Sequence, residues 1–308
     1  PARLLTEFVN SLPSEKIDIV SSSEPLGINL NASRVDGSIN GIDASEFPPI
    51  PTVESGITVK ISPDVLRKAV NSVAFAAATE DSRPVLTGVM VEIEADKFTF
   101  ASADGFRLAV YKGNILEPVD ENISFLVPAK ALQEVSRLID SPMEQVEFTI
   151  TPAKSQVLFK IKDVELVSQL VQGAFPNYSQ LLPEKYDTKA IVNVKEFLAA
   201  TKTSSVFARD GSGIIRLNLS SGTDDSPGTL SIVSKSEEVG SNQGDIDATI
   251  EGQENRIAFN SRYVMQVLDV LDNDSVAIEM TTSSSPGVLK PIGDDQYVHV
   301  IMPMFVQW

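Results

Sequence analysis

Residues 128–139 read Pro128-Ala-Lys-Ala-Leu-Gln-Glu-Val-Ser-Arg-Leu-Ile139, and the chain opens on a near copy, Pro1-Ala-Arg-Leu-Leu-Thr-Glu-Phe-Val-Asn-Ser-Leu12. Proline meets proline, Arg3 meets Lys130, Leu5 meets Leu132 and Glu7 meets Glu134, at an offset of 127. In both copies proline stands at a first helical position, where its missing N–H costs nothing. Leu132, Val135, Leu138 and Ile139 follow helical spacing, which turns Lys130, Gln133 and Arg137 the other way. Two further pairs fix the period: Phe47-Pro48 against Phe175-Pro176, and residues 85–89 against 213–217, both at offset 128. Three co-linear matches argue for a duplicated domain, because the period is too long for a solenoid unit and suits a whole domain.

The 308 residues hold 42% hydrophobic and 22% charged side chains, ordinary for a globular chain with two or three cores. With no cysteine, disulfides and thiolate metal sites are excluded, and the single histidine, His299, argues against a His-rich metal site or a Ser-His-Asp triad. No apolar run is long enough to span a bilayer and no signal-peptide pattern opens the chain, so a cytoplasmic location and no membrane partner are expected. The net charge of −17 by itself opposes a polyanionic partner, unless cations gather on one face.

In chain order, the pattern predicts a helix over 1–12, then strands at 18–20 and 27–30 with a hairpin signal at Asp36-Gly37. Phe47-Pro-Pro-Ile-Pro51 reads as a connector. A strand at 57–61 leads into a helix over 62–79, with Ser62 as cap and Pro63 at its first position. Strands follow at 85–93, 97–102 and 107–112, then the helix at 128–139 and strands at 145–151, 156–161 and 165–171. The pattern restarts with a strand about 191, a helix over 194–206, strands at 214–219 and 229–233, a helix over 261–271 capped by Asn260, and strands at 275–280, 287–291 and 296–302. Each unit is strand, helix and three strands, and two units make a domain. The reading is therefore an α+β chain: half a domain over 1–54, and complete domains over 55–183 and 184–308.

Three stretches carry a resemblance: Ser102-Ala-Asp-Gly-Phe-Arg-Leu-Ala109, Gly173-Ala-Phe-Pro-Asn-Tyr-Ser-Gln-Leu-Leu-Pro183 and Val300-Ile-Met-Pro-Met304. With Glu80-Asp-Ser-Arg-Pro-Val-Leu-Thr-Gly88 and Phe259-Asn-Ser-Arg-Tyr-Val264, they resemble the bacterial DNA sliding clamps, the beta subunits of DNA polymerase III, across the whole chain. The resemblance implies the DNA-clamp fold: repeated β-α-β-β-β units, outer antiparallel sheets, and helices lining a ring made by a head-to-tail homodimer. It implies a processivity factor with no catalysis of its own and no cofactor. Its partners would be double-stranded DNA, held without sequence readout, the polymerase III alpha subunit, the clamp loader and other clamp-binding proteins. The first half of domain one is missing from the pattern and is expected to lie outside this stretch of sequence; only its true absence from the protein would compromise one sheet edge and part of the subunit interface.

On this reading DNA needs only backbone electrostatics. The candidate contacts are Arg3, Arg67, Lys68, Lys130 and Arg137 on the first helices, Lys195, Lys202 and Arg262 on the later ones, and Arg83 on a loop. The resemblance also implies a hydrophobic pocket for client peptides. Its positions here are Leu86, Ala103, Gly105, Phe106, Arg107 and Leu108 from one domain and Pro176, Gln180 and Leu181 from the connector. Tyr263, Val267, Val300, Met302, Pro303 and Met304 come from the next domain. Methionine, aliphatic walls and an arginine rim suit varied hydrophobic anchors. Subunit contact would pair the region of Ile39 with Val206 and Phe207.

The sequence departs from the family pattern at Phe106, where histidine is frequent, and at Phe305, where a basic residue commonly stands; the tail to Trp308 could fold over the pocket. Two other readings compete. An Asp104/Glu80 carboxylate pair for glycoside hydrolysis lacks any supporting motif, and Asp104-Gly105 is explained as a turn. An acidic scaffold that binds proteins without encircling DNA is the remaining alternative.

Overall fold

The computed structural model describes all residues except 49–52, 54, 81, 140–142, 184, 209–212, 224, 225 and 239. The Pro49–Pro51 part of the connector and Asp81 therefore lie outside the described residues. The chain divides into two compact units, Pro1–Thr52 and Val53–Trp308.

The small unit packs helix α1 (Ala2–Ser11) on a three-stranded antiparallel sheet of β1 (Asp18–Ser23), β2 (Leu26–Ala32) and β3 (Val35–Asn40). The turn between β2 and β3 falls at Ser33-Arg34, with Ser33 at φ 54°, not at Asp36-Gly37. Gly37 is instead inside β3, where a Cβ would lie 2.4 Å from Cζ of Phe8 on α1. The helix sets that glycine, and reading it as a turn signal ignored the tertiary contact.

In the large unit the repeat is explicit. β4 (Ile57–Ile61), α2 (Pro63–Val73), β5 (Gly88–Glu94), β6 (Lys97–Ala103) and β7 (Arg107–Asn114) form one copy. The next copy is β8 (Ile123–Pro128), α3 (Ala129–Leu138), β9 (Val146–Ile150), β10 (Gln156–Ile161) and β11 (Val164–Gln169). A third comprises β12 (Thr188–Asn193), α4 (Val194–Ala208), β13 (Ile214–Ser220), β14 (Gly228–Ser236) and β15 (Gly240–Gly252). The last is β16 (Asn255–Asn260), α5 (Ser261–Asp269), β17 (Ser275–Met280), β18 (Gly287–Pro291) and β19 (Tyr297–Ile301). The strands β8, β15 and β16 escaped the sequence reading. α2 ends six residues early because Ala74–Ala76 tighten into a 3-10 turn, and the side chain of Ser62 makes no capping bond. Asn260 does cap α5, accepting from the Arg262 amide at 2.9 Å.

Alternation with period two divides the side chains of each strand between two faces. On β7, Ala109 and Tyr111 enter the core under the helices, whereas Leu108 and Val110 enter a second cluster on the opposite face. Leu132 and Val135 of α3 are fully buried in the first core, each contributing roughly 1.5–3 kcal/mol by removal from water. β7 pairs antiparallel with β19 from Tyr111↔Tyr297 to Arg107↔Ile301, so twelve strands join in one sheet: all eight of the last two copies, β5–β7 of the first and β8 of the second. The edge strands of the three sheets are β1 and β3, β11 and β4, and β16 and β8, the last bridged only at Leu126 to Val171, and residues 240–247 of β15 are paired on one side only among the described residues.

Candidate functional site

The second apolar cluster lies on the sheet face opposite α2 and α5. Met90, Ala101, Ala103, Leu108 and Val110 come from β5–β7, Leu126 from β8, and Val288 and Val300 from β18 and β19. The segment 171–183 crosses it. Phe175, Tyr178 and Leu182 turn inward against the cluster, while Pro176, Gln180 and Leu181 are left exposed. Tyr178 is fixed further by a hydrogen bond from its hydroxyl to Glu92 (3.3 Å), and burial, then the Glu92 charge, push its phenol up to about 12. Leu86 is buried in the short Pro84–Thr87 turn, next to Val85 of the same cluster. At the open end Phe106 is exposed and its carbonyl accepts from the Met302 amide at 2.8 Å, placing Met302 beside it.

Thus Ala103, Leu108 and Val300 make a floor, Leu86 is buried outside that cluster, and Phe106, Pro176, Leu181 and Met302 keep exposed surface. Val267 stands apart. It is 0% exposed in the core beneath the helices, on the other side of the sheet, because α5 turns Val264, Val267 and Leu268 toward that core. It offers no surface to a ligand. Tyr178, Phe175 and Leu182 escaped the sequence reading, although the in-and-out alternation of the segment carried the signal.

Arg107 is not a free rim group either. It is 8% exposed, and its guanidinium donates to Asp104 Oδ2 (2.9 Å), Gln266 Oε1 (2.5 Å) and the Phe75 carbonyl (2.7 Å). It lies over the rings of Tyr263 (4.6 Å) and Phe75 (5.3 Å). Asp104 also accepts from the amides of Phe106 and Arg107, which closes the turn where Gly105 takes φ 93°. Any side chain at Gly105 would meet the guanidinium of Arg83, whose Nη2 donates to the Asp104 carbonyl at 2.9 Å. Pro303 is half-buried, and Met304 donates its amide to the Ala258 carbonyl. Beyond it the tail follows the β13–β16 edge: Arg216 reaches the Gln307 carbonyl, and Arg256 lies 4.7 Å over the Trp308 ring. Trp308 is therefore held against Arg256 of β16, and Phe305 is left 91% exposed.

On the helices, charge runs against the chain's average. The five α-helices among the described residues hold eight Lys/Arg and five Asp/Glu, in a chain whose net charge is −17. Arg3 pairs with Glu7, Arg67 with Asp64, Arg137 with Glu134, and Lys202 with Asp269 across to α5. Lys68 reaches Asp294 at 2.7 Å, and that hydrogen bond raises its pKa. Lys130, Lys195 and Arg262 are exposed and have no ion pair among the described residues.

Of the three interface candidates, Val206 is 54% exposed and Phe207 half-buried at the end of α4, where Thr201 and Ser204 take the inward positions. Ile39 differs. At 8% exposed it is packed inside the small unit with Leu30 and Ala32, so the exposed feature of β3 is its backbone edge, not that side chain.

Comparison with known proteins accounts for this arrangement. Family models for the DNA polymerase III beta subunit match its central domain at residues 60–177 and its C-terminal domain at 179–305. The beta sliding clamp of Staphylococcus aureus is 32% identical over 305 residues, covering 99% of this chain and 78% of that protein. That of Bacillus subtilis strain 168 is 33% identical, covering 98% and 79%. The crystal structure of the DNA polymerase sliding clamp from Bacillus subtilis superposes with a TM-score of 0.87 at 31% identity, covering 99% of this chain and 79% of that one. This chain belongs to the bacterial sliding clamp family, the beta subunits of DNA polymerase III.

Proposed function

We propose that this protein works as a processivity factor: a ring of two subunits that encircles duplex DNA and tethers a polymerase without catalysing anything itself. The observation that carries the DNA reading is the cation surplus on the helices of a strongly acidic chain. Sequence-independent holding needs net positive charge where the duplex passes, and tight base contacts would stop it sliding. The acidic scaffold reading gives no reason for that segregation. The division into a half-domain over 1–54 and domains over 55–183 and 184–308 goes with this reading, as does a cytoplasmic location. No helix among the described residues is long and apolar enough to cross a membrane. The test is topological. Protein loaded on nicked circular DNA is expected to stay bound through gel filtration and to be lost when the circle is cut; equal retention on both would reject encirclement.

The groove above Leu108 and Val300 is the proposed seat for an apolar client peptide, such as one from the polymerase alpha subunit or the clamp loader. Closure would repeat the β7–β19 seam between subunits, β15 of one copy pairing along residues 240–247 with β3 of the next. Val206 and Phe207 would be covered by that contact. Changing both to aspartate places two charges in the seam, a penalty of at least about 3 kcal/mol and over a hundredfold in dimer affinity. Sedimentation is expected to show monomers; a double variant that stays dimeric removes these two residues from the interface.

A further inference from the structure

After β19 the chain turns along the edge strand β16, and three contacts hold it there. The Met302 amide donates to the Phe106 carbonyl at 2.8 Å, and the Met304 amide to the Ala258 carbonyl at 2.8 Å. Farther on, Arg216 donates to the Gln307 carbonyl at 3.4 Å, and the Arg256 guanidinium lies 4.7 Å over the ring of Trp308. β13 and β16 pair Arg216 with Ala258, while Ile215, Leu217, Ile257 and Phe259 fill the core under the helices. By strand parity Arg216 and Arg256 stand on the opposite face, the one that carries the groove. Phe305 falls between the second and third contacts. It is 91% exposed, the most exposed large apolar side chain among the described residues, although the backbone on both sides of it is held. Val306 beside it is half-buried. Three residues beyond Met302, Phe305 lengthens the exposed apolar rim of the groove by on the order of 10 Å.

We infer that Arg256 and Trp308 form a latch: by stacking they hold residues 304–308 on β13 and β16, so that Phe305 is presented to an apolar segment of the same client chain that fills the groove. The inference deepens the client reading and rests on it. Arg256 is a positioning residue, outside the apolar cluster of the groove and acting through the ring it covers. The client is the occupant because Phe305 continues the rim that starts at Phe106 and Met302, which one hydrogen bond joins. A segment fixed before binding does not have to be ordered when the client docks, and that saving is what the latch supplies.

The test measures affinity for the purified polymerase III alpha subunit of the same organism. Phe305→Ala is expected to weaken binding about tenfold or more, through loss of a buried aromatic contact. Arg256→Gln is expected to weaken it about two- to fivefold, the worth of an exposed cation–π contact. Trp308→Phe keeps a ring under the guanidinium and should lose less than Arg256→Gln. Because the latch acts only through Phe305, Arg256→Gln should add nothing once Phe305 is alanine. A full further loss in that background would make Arg256 a direct client contact and overturn the latch. Trp308 is the only tryptophan of the chain, so acrylamide quenching reads the stack itself. Quenching is expected to rise in Arg256→Gln; unchanged quenching would overturn the inference. Thermal midpoints should stay at the wild-type value, and a drop that accompanies the weaker binding would reduce the pair to a stability contact. Self-association that Phe305→Ala abolishes would assign the ring to a second copy and overturn the proposal. Equal binding by wild type and Phe305→Ala overturns it while leaving the groove intact, whereas a wild type that fails to bind the subunit overturns the client reading itself.

Discussion

Arg107→Ala is expected to destabilise the large unit by about 3–5 kcal/mol and to lower its unfolding midpoint on the order of 10 °C. The side chain is enclosed, and its three hydrogen bonds go to groups from three places: Asp104 in the turn before β7, Gln266 on α5, and the Phe75 carbonyl just after α2. Truncation strands all three acceptors and opens a void between the Phe75 and Tyr263 rings. Removing one member of a buried, hydrogen-bonded charge pair is costly mainly because its partner is left uncompensated. Arg107→Lys restores the charge but not the planar fork, so it should recover only part of the loss. Binding of an apolar peptide should fall in parallel, since Asp104 also closes the turn that presents Phe106 beside Met302. Calorimetry decides: a midpoint within about 2 °C of wild type in the alanine variant would show that Arg107 is a dispensable rim group.

The contrast between Arg107 and Phe106 shows where sequence reading succeeds and where it stops. Helix positions were legible because amphipathic spacing is local: Leu132 and Val135 announce the buried face of α3, and the structure buries both. The repeat was legible for the same reason, through Arg3 and Lys130 at matching helix positions. β15 and β16 were not. β15 alternates strictly in the structure, odd positions from Ser241 to Glu251 exposed and even ones turned in, but the inward set begins with Asn242 and Gly244 and includes only two large apolar residues, Ile246 and Ile250, so a polar strand looked like a loop. It is held by main-chain pairing to β14 and β12, which no side-chain pattern reports.

The groove shows the same division. Resemblance pointed to Arg107 and Val267 as lining residues, yet which face of a sheet or helix a residue takes is settled by packing. Val267 follows the helical stripe of Val264 and Leu268 into the core, while Leu108 and Val300 take the opposite sheet face by strand parity. Ile39 was misplaced likewise: α1 covers one face of β3, and an isoleucine at that parity is used inside the unit. The charge pattern, by contrast, needed both levels. The sequence supplied eight helical cations, and only coordinates separate Lys130, Lys195 and Arg262 from those already matched by a carboxylate.

Acid should find the weak point of the β7–β19 seam at His299. The imidazole is fully enclosed, with Nδ1 3.1 Å from the Tyr297 hydroxyl, Nε2 without a partner among the described residues, and its ring stacked 5.5 Å from Phe75. Burial first, and the Arg107 charge second, lower its pKa to about 3, against about 6.5 when unfolded. The native state therefore holds the neutral ring and binds fewer protons than the unfolded chain between those values. Linkage fixes the sign: stability is full above pH ~6.5 and is lost as pH falls toward ~3, by up to roughly 5 kcal/mol if the whole shift is realised. His299→Phe keeps a flat ring against Phe75 and removes the titration, though it strands the Tyr297 hydroxyl and so starts somewhat less stable near neutrality. Denaturant midpoints of the two proteins should converge or cross as pH is lowered from ~6.5 to ~4.5, a range above most carboxylate titration. Curves that run parallel through that range would mean the histidine is protonated equally in both states, and that the seam accommodates an imidazolium beside Arg107.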